Sequence, residues 1–528
     1  MKRFLKIVVS VVLILAFSCG FLGCEKKKET AMPESTIKIM LRGAEPKGFS
    51  QVLAEFYKRT EKTLNIKLDI DWVTSNSYKE KLILKMTSGE QYDLVFDAPF
   101  VNYKSFINSG AYLPLDEYFE NEKYKGLKSA FSDDYLKANM IKNHIYGIPL
   151  ATDFNQMTLE GVILRGDIRE KYKLPVIKTR EDLQKYYDTI LQNEPNLVPL
   201  AVGDTRGLYH LLDSDKEIYA HKSHVYKFML GMPCTVAISE DNKKILGLVF
   251  DGDPASEFAS LPAPYNTPDY EKSILGKEWA KYLEHDSINQ KYPNSLLIGN
   301  KSASILGMID EFDSIERELK KNCPEAWLEY FPGFKPTQNF EKNGFSSTFS
   351  AWNYICIPKN ARNPEKAIEF MNWLFESRDN HDLFEYGIEG KDWEKVGDTG
   401  FKYPKDHNFS EMYYLSPYLL TANPTMTRKY VDAPEWVTKY NEYATDIETY
   451  DLSPLSGFVF DDSNVILELN KINILSKELS TKLAHGLCEN PIEDISSVNQ
   501  SARKFGLEKV RSEIKQQLQD FLNQKYGK

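Results

Sequence analysis

Cysteine is scarce in this chain, with six in 528 residues. Cys19 and Cys24 lie near the N-terminus, while Cys234, Cys323, Cys356 and Cys488 are scattered with no C-x-x-C pair. That spacing predicts neither a disulfide framework nor a zinc site; one bridge outside the cell stays open, and the spacing does not choose its partners. A basic excess is missing too, since 66 Lys and Arg stand against 76 Asp and Glu, a formal charge of −10. This balance argues against a nucleic-acid partner and leaves no basic face for anionic lipid. The patterns G-x-x-x-x-G-K-[ST], H-E-x-x-H and G-x-S-x-G do not occur, so no catalytic residue, metal or cofactor is expected. His221-x-x-His224 puts two imidazoles on one helical face, but no third ligand stands nearby and a solvated face is the simpler reading.

An apolar run does exist at the start, Ile7–Phe17, preceded by Lys2, Arg3 and Lys6. Its 11 residues are too few to span a bilayer as a mature helix, which needs ~20. Basic flank, apolar run and small-residue end follow the plan of a secretory signal. Phe21-Leu22-Gly23-Cys24 resembles a bacterial lipobox, with Phe21 where Leu is usual, and implies diacylation of Cys24. Cys19 fits less well, and a plain secreted protein cut nearby is the alternative. Glu25–Thr30 then forms a polar tether. The expectation is a lipid-anchored protein on the extracellular face of a bacterial membrane. The mature chain of about 505 residues is long enough for two or three lobes. Its aromatic content of 13% is high.

Strand and helix patterns alternate from Thr36. Thr36–Leu41, the strictly alternating Ile66, Leu68, Ile70 and Trp72, and Tyr92–Phe96 read as strands. Between them, Val52, Leu53, Phe56 and Tyr57 mark a helix with Ser50 as its cap, and Leu82, Ile83 and Met86 mark another closed by Ser88-Gly89. Such a β-α-β-α-β run makes a parallel sheet, and an order of 2-1-3 points to ligand contacts at Arg42-Gly43 and Asp97. A loop charge and a helix cap are the plain alternatives. Ile145–Asp153 (IYGIPLATD) reads as a strand crossing to a second lobe, beside a cleft, or else as a turn and one buried strand.

Patterns restart with a strand at Val162–Arg165 and a capped helix from Thr179 carrying Leu183, Tyr186, Tyr187 and Ile190. Residues 204–275 carry little periodicity. Helices are predicted at Gly276–Glu284 and Ile309–Leu319, with a strand at Ser304–Gly307 between them. Ser346–Pro358 reads as the return crossing, and Pro364 starts a helix with Ala367, Ile368, Met371, Leu374 and Phe375 on its face. Near the end, Val465, Leu469, Ile472, Leu475, Leu479 and Leu483 form one core stripe, ended by His485-Gly486. Val510, Ile514, Leu518 and Phe521 form another.

Met86–Phe96 followed by Gly110–Tyr118, and then Tyr146-Gly147-Ile148-Pro149, resemble bacterial extracellular solute-binding proteins of ABC importers, of the larger carbohydrate-binding class. Tyr386–Trp393 (YGIEGKDW), Pro454–Asp461 and the C-terminal segment from Gly506 are similar to its lipoprotein subgroup often called LplA-like. The resemblance implies an α/β, two-lobe periplasmic-binding-protein-like fold of class II type, closing by a hinge about its crossover strands, with a helical C-terminal region. Its divisions are a signal peptide at 1–23, a tether at 24–35, lobe 1 at 36–147, lobe 2 at 148–345, the return crossing and rest of lobe 1 at 346–450, and the C-terminal region at 451–528. Gln192–Leu200 lacks the oxygen ligands of the calcium loop found in some relatives, so no calcium is expected. The implied partners are a carbohydrate, of oligosaccharide size, and permease subunits, with the protein a monomer. Sugars offer apolar faces rimmed by hydroxyls. Trp352 and Trp393 are therefore expected as stacking platforms, and Arg42, Asp97, Asp153 and Glu389 as hydroxyl partners. For the aromatics, a core position is the competing reading. The rival function is a surface glycosidase or lyase, which needs two carboxylates at a defined separation.

Overall fold

The computed structural model describes residues 35–150, 156–204, 206–405, 408, 411–423 and 425–527. The chain opens with β1 (Ser35–Arg42), α1 (Phe49–Thr60), β2 (Ile66–Val73), α2 (Tyr78–Thr87), β3 (Leu94–Asp97) and β4 (Gly147–Leu150). It continues with β5 (Glu160–Arg165), α3 (Arg180–Asn193), β6 (Val225–Leu230), β7 (Met232–Ile238), β8 (Ile245–Phe250) and α4 (Glu271–Trp279). Next come β9 (Ser304–Met308), α5 (Phe312–Asn322), β10 (Leu328–Pro332), β11 (Phe345–Ser347) and β12 (Asn353–Cys356). Six helices follow: α6 (Pro364–Glu376), α7 (Arg378–Glu385), α8 (Glu435–Thr445), α9 (Ile466–Ala484), α10 (Pro491–Lys504) and α11 (Leu507–Tyr526). Among the described residues no helix is long and apolar enough to cross a membrane, and Cys234, Cys323, Cys356 and Cys488 are free thiols.

Lobe 1 is built on a sheet of order β2-β1-β3-β12-β4. The first three strands are parallel, in the predicted 2-1-3 order, and β12 returns antiparallel between β3 and β4. Helices cover the sheet, so β1 and β3 are apolar on both faces, with Ile39, Met40, Leu94 and Val95 fully buried. α1 begins one residue before Ser50, after Gly48 at φ 75°, and Ser50 makes no cap bond. A left-handed glycine turns the chain there, which a Ser cap would not do. α6 starts with Pro364 in its first turn and buries the predicted face. It lies so close to Gly126 that a Cβ there would stand 2.4 Å from the Asn372 carbonyl oxygen.

Under α6 a charged cluster is sealed in the core. Arg428 Nε donates to Asp382 at 2.6 Å, and His381 lies 3.1 Å from Glu385. Burial alone would lower the His381 pKa, but Glu385 and Asp382 raise it to about 9.

Lobe 2 centres on an antiparallel sheet of order β10-β5-β9. α3 packs on it through Leu183, Tyr186, Tyr187 and Ile190, as its periodicity predicts, and Thr179 caps it by accepting from Asp182 N. The helices predicted around 276–284 and 309–319 become α4, which starts five residues earlier, and α5, preceded by a 3-10 turn at Ile309–Glu311. α8 also joins lobe 2: Val437 and Ala444 pack with Leu159 and Ile309, and Trp436 stands edge-on to Phe312 at 4.8 Å. The boundary drawn at 450 therefore moves toward the start of α8, because these side chains find their apolar partners in lobe 2.

The pattern-poor stretch hides an antiparallel meander, β6-β7-β8, with Gly231 at the tight turn. Its core is shared with α9 and α11, where Val236, Phe250, Leu469, Ile472, Val510 and Ile514 meet. α10 was not anticipated by any stripe. A buried carboxylate, Asp253, ties it and α11 to the loop after β8. Asp253 takes Arg503 at 2.6 Å and Arg511 at 2.9 Å, and accepts from Asn499 and from Phe250 N.

Asp253→Ala leaves Arg511 buried without its main partner and should cost about 3–5 kcal/mol in urea unfolding. His381 has a raised folded pKa, so its contribution is complete below pH ~6.5 and is lost as pH rises through about 9. The urea midpoint of the native chain should therefore fall between these values, and His381→Gln should remove that component of the slope.

Candidate ligand-binding site

A cavity of about 630 Å³ opens between the meander, α9 and the return crossing, within the usual range of ~300–1,000 Å³ for ligand sites. Segment 208–218 forms one wall and β6 with β7 forms another. Leu479 and Leu483 of α9 close a third side, with Phe345 and Trp352 at the mouth. Those two leucines were expected in the core; α9 runs past the edge of the meander, so its last turns border open space instead. Trp352 is 47% exposed, an open ring at the rim.

Polar groups are set among the rings. Lys272 pairs with Asp213 and also lies 3.5 Å over the Tyr209 ring. Lys227 pairs with Glu217. Burial would raise Asp213, yet His210 and Lys272 beside it hold it down to about 2. Asp251, at the end of β8, is pushed up to about 6 by loss of solvation, which Lys227 opposes and Glu217 reinforces. His210 Nδ1 and Glu217 Oε2 are buried without a hydrogen-bond partner among the described residues. A smaller cavity of about 60 Å³ adjoins, sharing Glu217, Lys227, Thr235 and Asp251. Aromatic faces beside carboxylate oxygens suit a ligand with flat apolar faces edged by hydroxyl or amide donors.

Of the residues singled out from sequence, Trp352 alone lines this cavity. Arg42 sits at the end of β1, half-buried, with its guanidinium 5.7 Å from the exposed Phe100 ring. Asp97 is sealed. It accepts from Ala98 N, Asn102 N and the Tyr112 hydroxyl at 2.7, 3.0 and 2.6 Å, which ties the loop after β3. Trp393 is buried as well, donating from Nε1 to the Gly387 carbonyl at 3.2 Å, beside Tyr386 and under Arg428. It is a core ring rather than a platform, because Tyr386 and Arg428 enclose it. Glu389 is exposed on the turn between the two glycines. Asp153 and Cys24 lie outside the described residues. Asp213, Glu217, Lys227, Asp251 and Lys272 were missed; the available signal was a long polar stretch without periodicity, which favours loops that carry function.

The facing surfaces of the lobes carry further exposed groups. Tyr414, from lobe 1, is 67% exposed. Among the described residues, no group of three His, Cys, Asp or Glu side chains could hold a metal ion.

Residues 43–270 match the family model described as bacterial extracellular solute-binding protein, and residues 454–523 match a domain of unknown function (DUF3502). A Streptococcus pneumoniae protein named carbohydrate ABC transporter substrate-binding protein is 24% identical, over 99% of this chain and 100% of its own. The Bacillus subtilis lipoprotein LipO is 25% identical over 33% of this chain and 34% of its own. Among solved structures, the N-glycan transport solute-binding protein NgtS of Streptococcus pneumoniae superimposes with a TM-score of 0.68 at 20% identity, covering 93% of this chain and 99% of that one. The match over 43–270 and the two lobes joined by crossing strands make the chain similar, in sequence over that span and in fold, to bacterial extracellular solute-binding proteins.

Proposed function

We propose that this protein captures an oligosaccharide and delivers it to the permease subunits of an ABC importer. One observation carries the ligand class: the 630 Å³ cavity sets Trp352, Tyr209 and Phe228 beside Asp213, Glu217 and Asp251. Rings cover the C–H faces of a sugar while carboxylates take its hydroxyls. The carbohydrate name of the Streptococcus pneumoniae relative, and the solved NgtS complex with Man5GlcNAc, support the same reading. In this proposal the chain acts as a monomer, held at the extracellular face of the membrane by a diacylated Cys24, and belongs to the LplA-like subgroup. Lobe 2, the meander and lobe 1 act together, hinged at the two crossings, and the permease reads the closed form.

Thermal unfolding of residues 25–528 against neutral and uronic oligosaccharides, mono- to hexameric, tests the ligand class. A ligand present at about 100 times its Kd should add roughly 2.7 kcal/mol of stability; no shift across the panel overturns the carbohydrate reading. Trp352→Ala should abolish that shift and change the unliganded stability by less than about 1 kcal/mol, whereas Trp393→Ala should cost about 3–5 kcal/mol without ligand. Cys24→Ala should move the protein from the membrane fraction to the medium or soluble fraction, and its retention on the membrane would count against lipid anchoring.

A further inference from the structure

We propose that the cavity accepts uncharged sugars and rejects anionic ones such as uronic acids, with Asp251 as the residue that enforces the rejection. The inference rests on the carbohydrate reading and narrows it to a substrate class.

It comes from accounting for the charges in the wall. The lysines bordering the two joined cavities are Lys216, Lys227 and Lys272. Each already holds a carboxylate: Lys216 pairs with Asp269 at 2.9 Å, Lys227 with Glu217 and Lys272 with Asp213. Lys272 is held a second time by the Tyr209 ring. Among the described residues no arginine borders either cavity. A sugar carboxylate therefore meets no unpaired lysine, and the one imidazole in the wall, His210, stands 3.7 Å from Asp213; binding an anion at a lysine would require breaking a pair and leaving its acid uncompensated.

The acids outnumber the cations by one. Asp251 borders both cavities and makes no ion pair within 4 Å among the described residues. Its carboxylate presents acceptors to a hydroxyl or an N-acetyl N–H and repels another carboxylate. The wall is thus built to receive donors. Specificity of this kind works through the penalty on the wrong ligand as much as through attraction to the right one.

Titration calorimetry of residues 25–528 with maltotetraose, mannotetraose, cellotetraose and chitotetraose, set against tetragalacturonate, tests this. At least one neutral tetramer should bind, and tetragalacturonate should bind weaker than it by on the order of 100-fold. The ratio should persist at about 1 M salt, where the screening length is ~3 Å, because it arises from contact within the wall and not from the overall negative charge. Asp251→Asn should improve tetragalacturonate relative to the neutral tetramer by about tenfold, and Asp251→Lys by more. Equal or tighter binding of tetragalacturonate by the native chain overturns this proposal while leaving the carbohydrate reading intact, as does an unchanged ratio in both variants. Absence of binding to every saccharide overturns both together.

Discussion

Asp253 is the charged tie that orients α10 and α11 on the loop after β8, beside the candidate cavity. The carboxylate is completely buried, a costly place for a charge unless every lone pair is used. Here two arginines, one asparagine and one backbone N–H use them. The apolar contacts of Val236, Phe250, Leu469 and Ile514 supply most of the attraction. They do not by themselves choose an angle between helix and sheet. The charged contacts do, because Arg503 on α10 and Arg511 on α11 both converge on a single side chain. α9 joins the same core through Leu469 and Ile472, and its Leu479 and Leu483 line the third wall of the cavity.

Polar groups elsewhere show the same division between structure and site. The His381–Glu385–Arg428–Asp382 cluster in lobe 1 is closed off from solvent and serves the packing of α7 against the segment carrying Arg428. Lys272–Asp213 and Lys227–Glu217 also join charges of opposite sign, but they border open space. Pairing in the first case satisfies a core; in the second it keeps long side chains in place along a surface that a solute touches. Paired lysines lose little rotamer freedom when a ligand arrives, since that freedom has already gone.

Local signals were legible in the sequence and long-range ones were not. The Thr179 cap, the α3 face and the order β2-β1-β3 follow from residues within a turn or two, or from a repeated β-α unit. β6 escaped because Met229 hides the apolar–polar alternation: Tyr226, Phe228 and Leu230 pack toward the C-terminal core, while Lys227, Met229 and also Phe228 border the cavity. α10 escaped because much of its anchorage is the charge of Arg503 and not an apolar stripe. Trp352 and Trp393 carry similar local cues, and distant residues decide between them. Arg428 closes over Trp393, whereas the described structure leaves nearly half of Trp352 open. Asp97 spends its oxygens on the loop that follows it, since a strand-end carboxylate ties a turn as readily as it meets a ligand.

The meander and its covering helices also set an order of events during synthesis. Roughly 200 residues separate β8 from α9, and chains emerge from the N-terminus at ~5–20 residues per second. Cys234, Val236, Leu248 and Phe250, which α9 and α11 later cover, therefore leave the ribosome well before the helices exist. Lobe 1, whose last core segments lie near residue 422, has all its parts earlier. The tail that looks like an appendage at the end of the chain is the piece whose arrival closes the cavity.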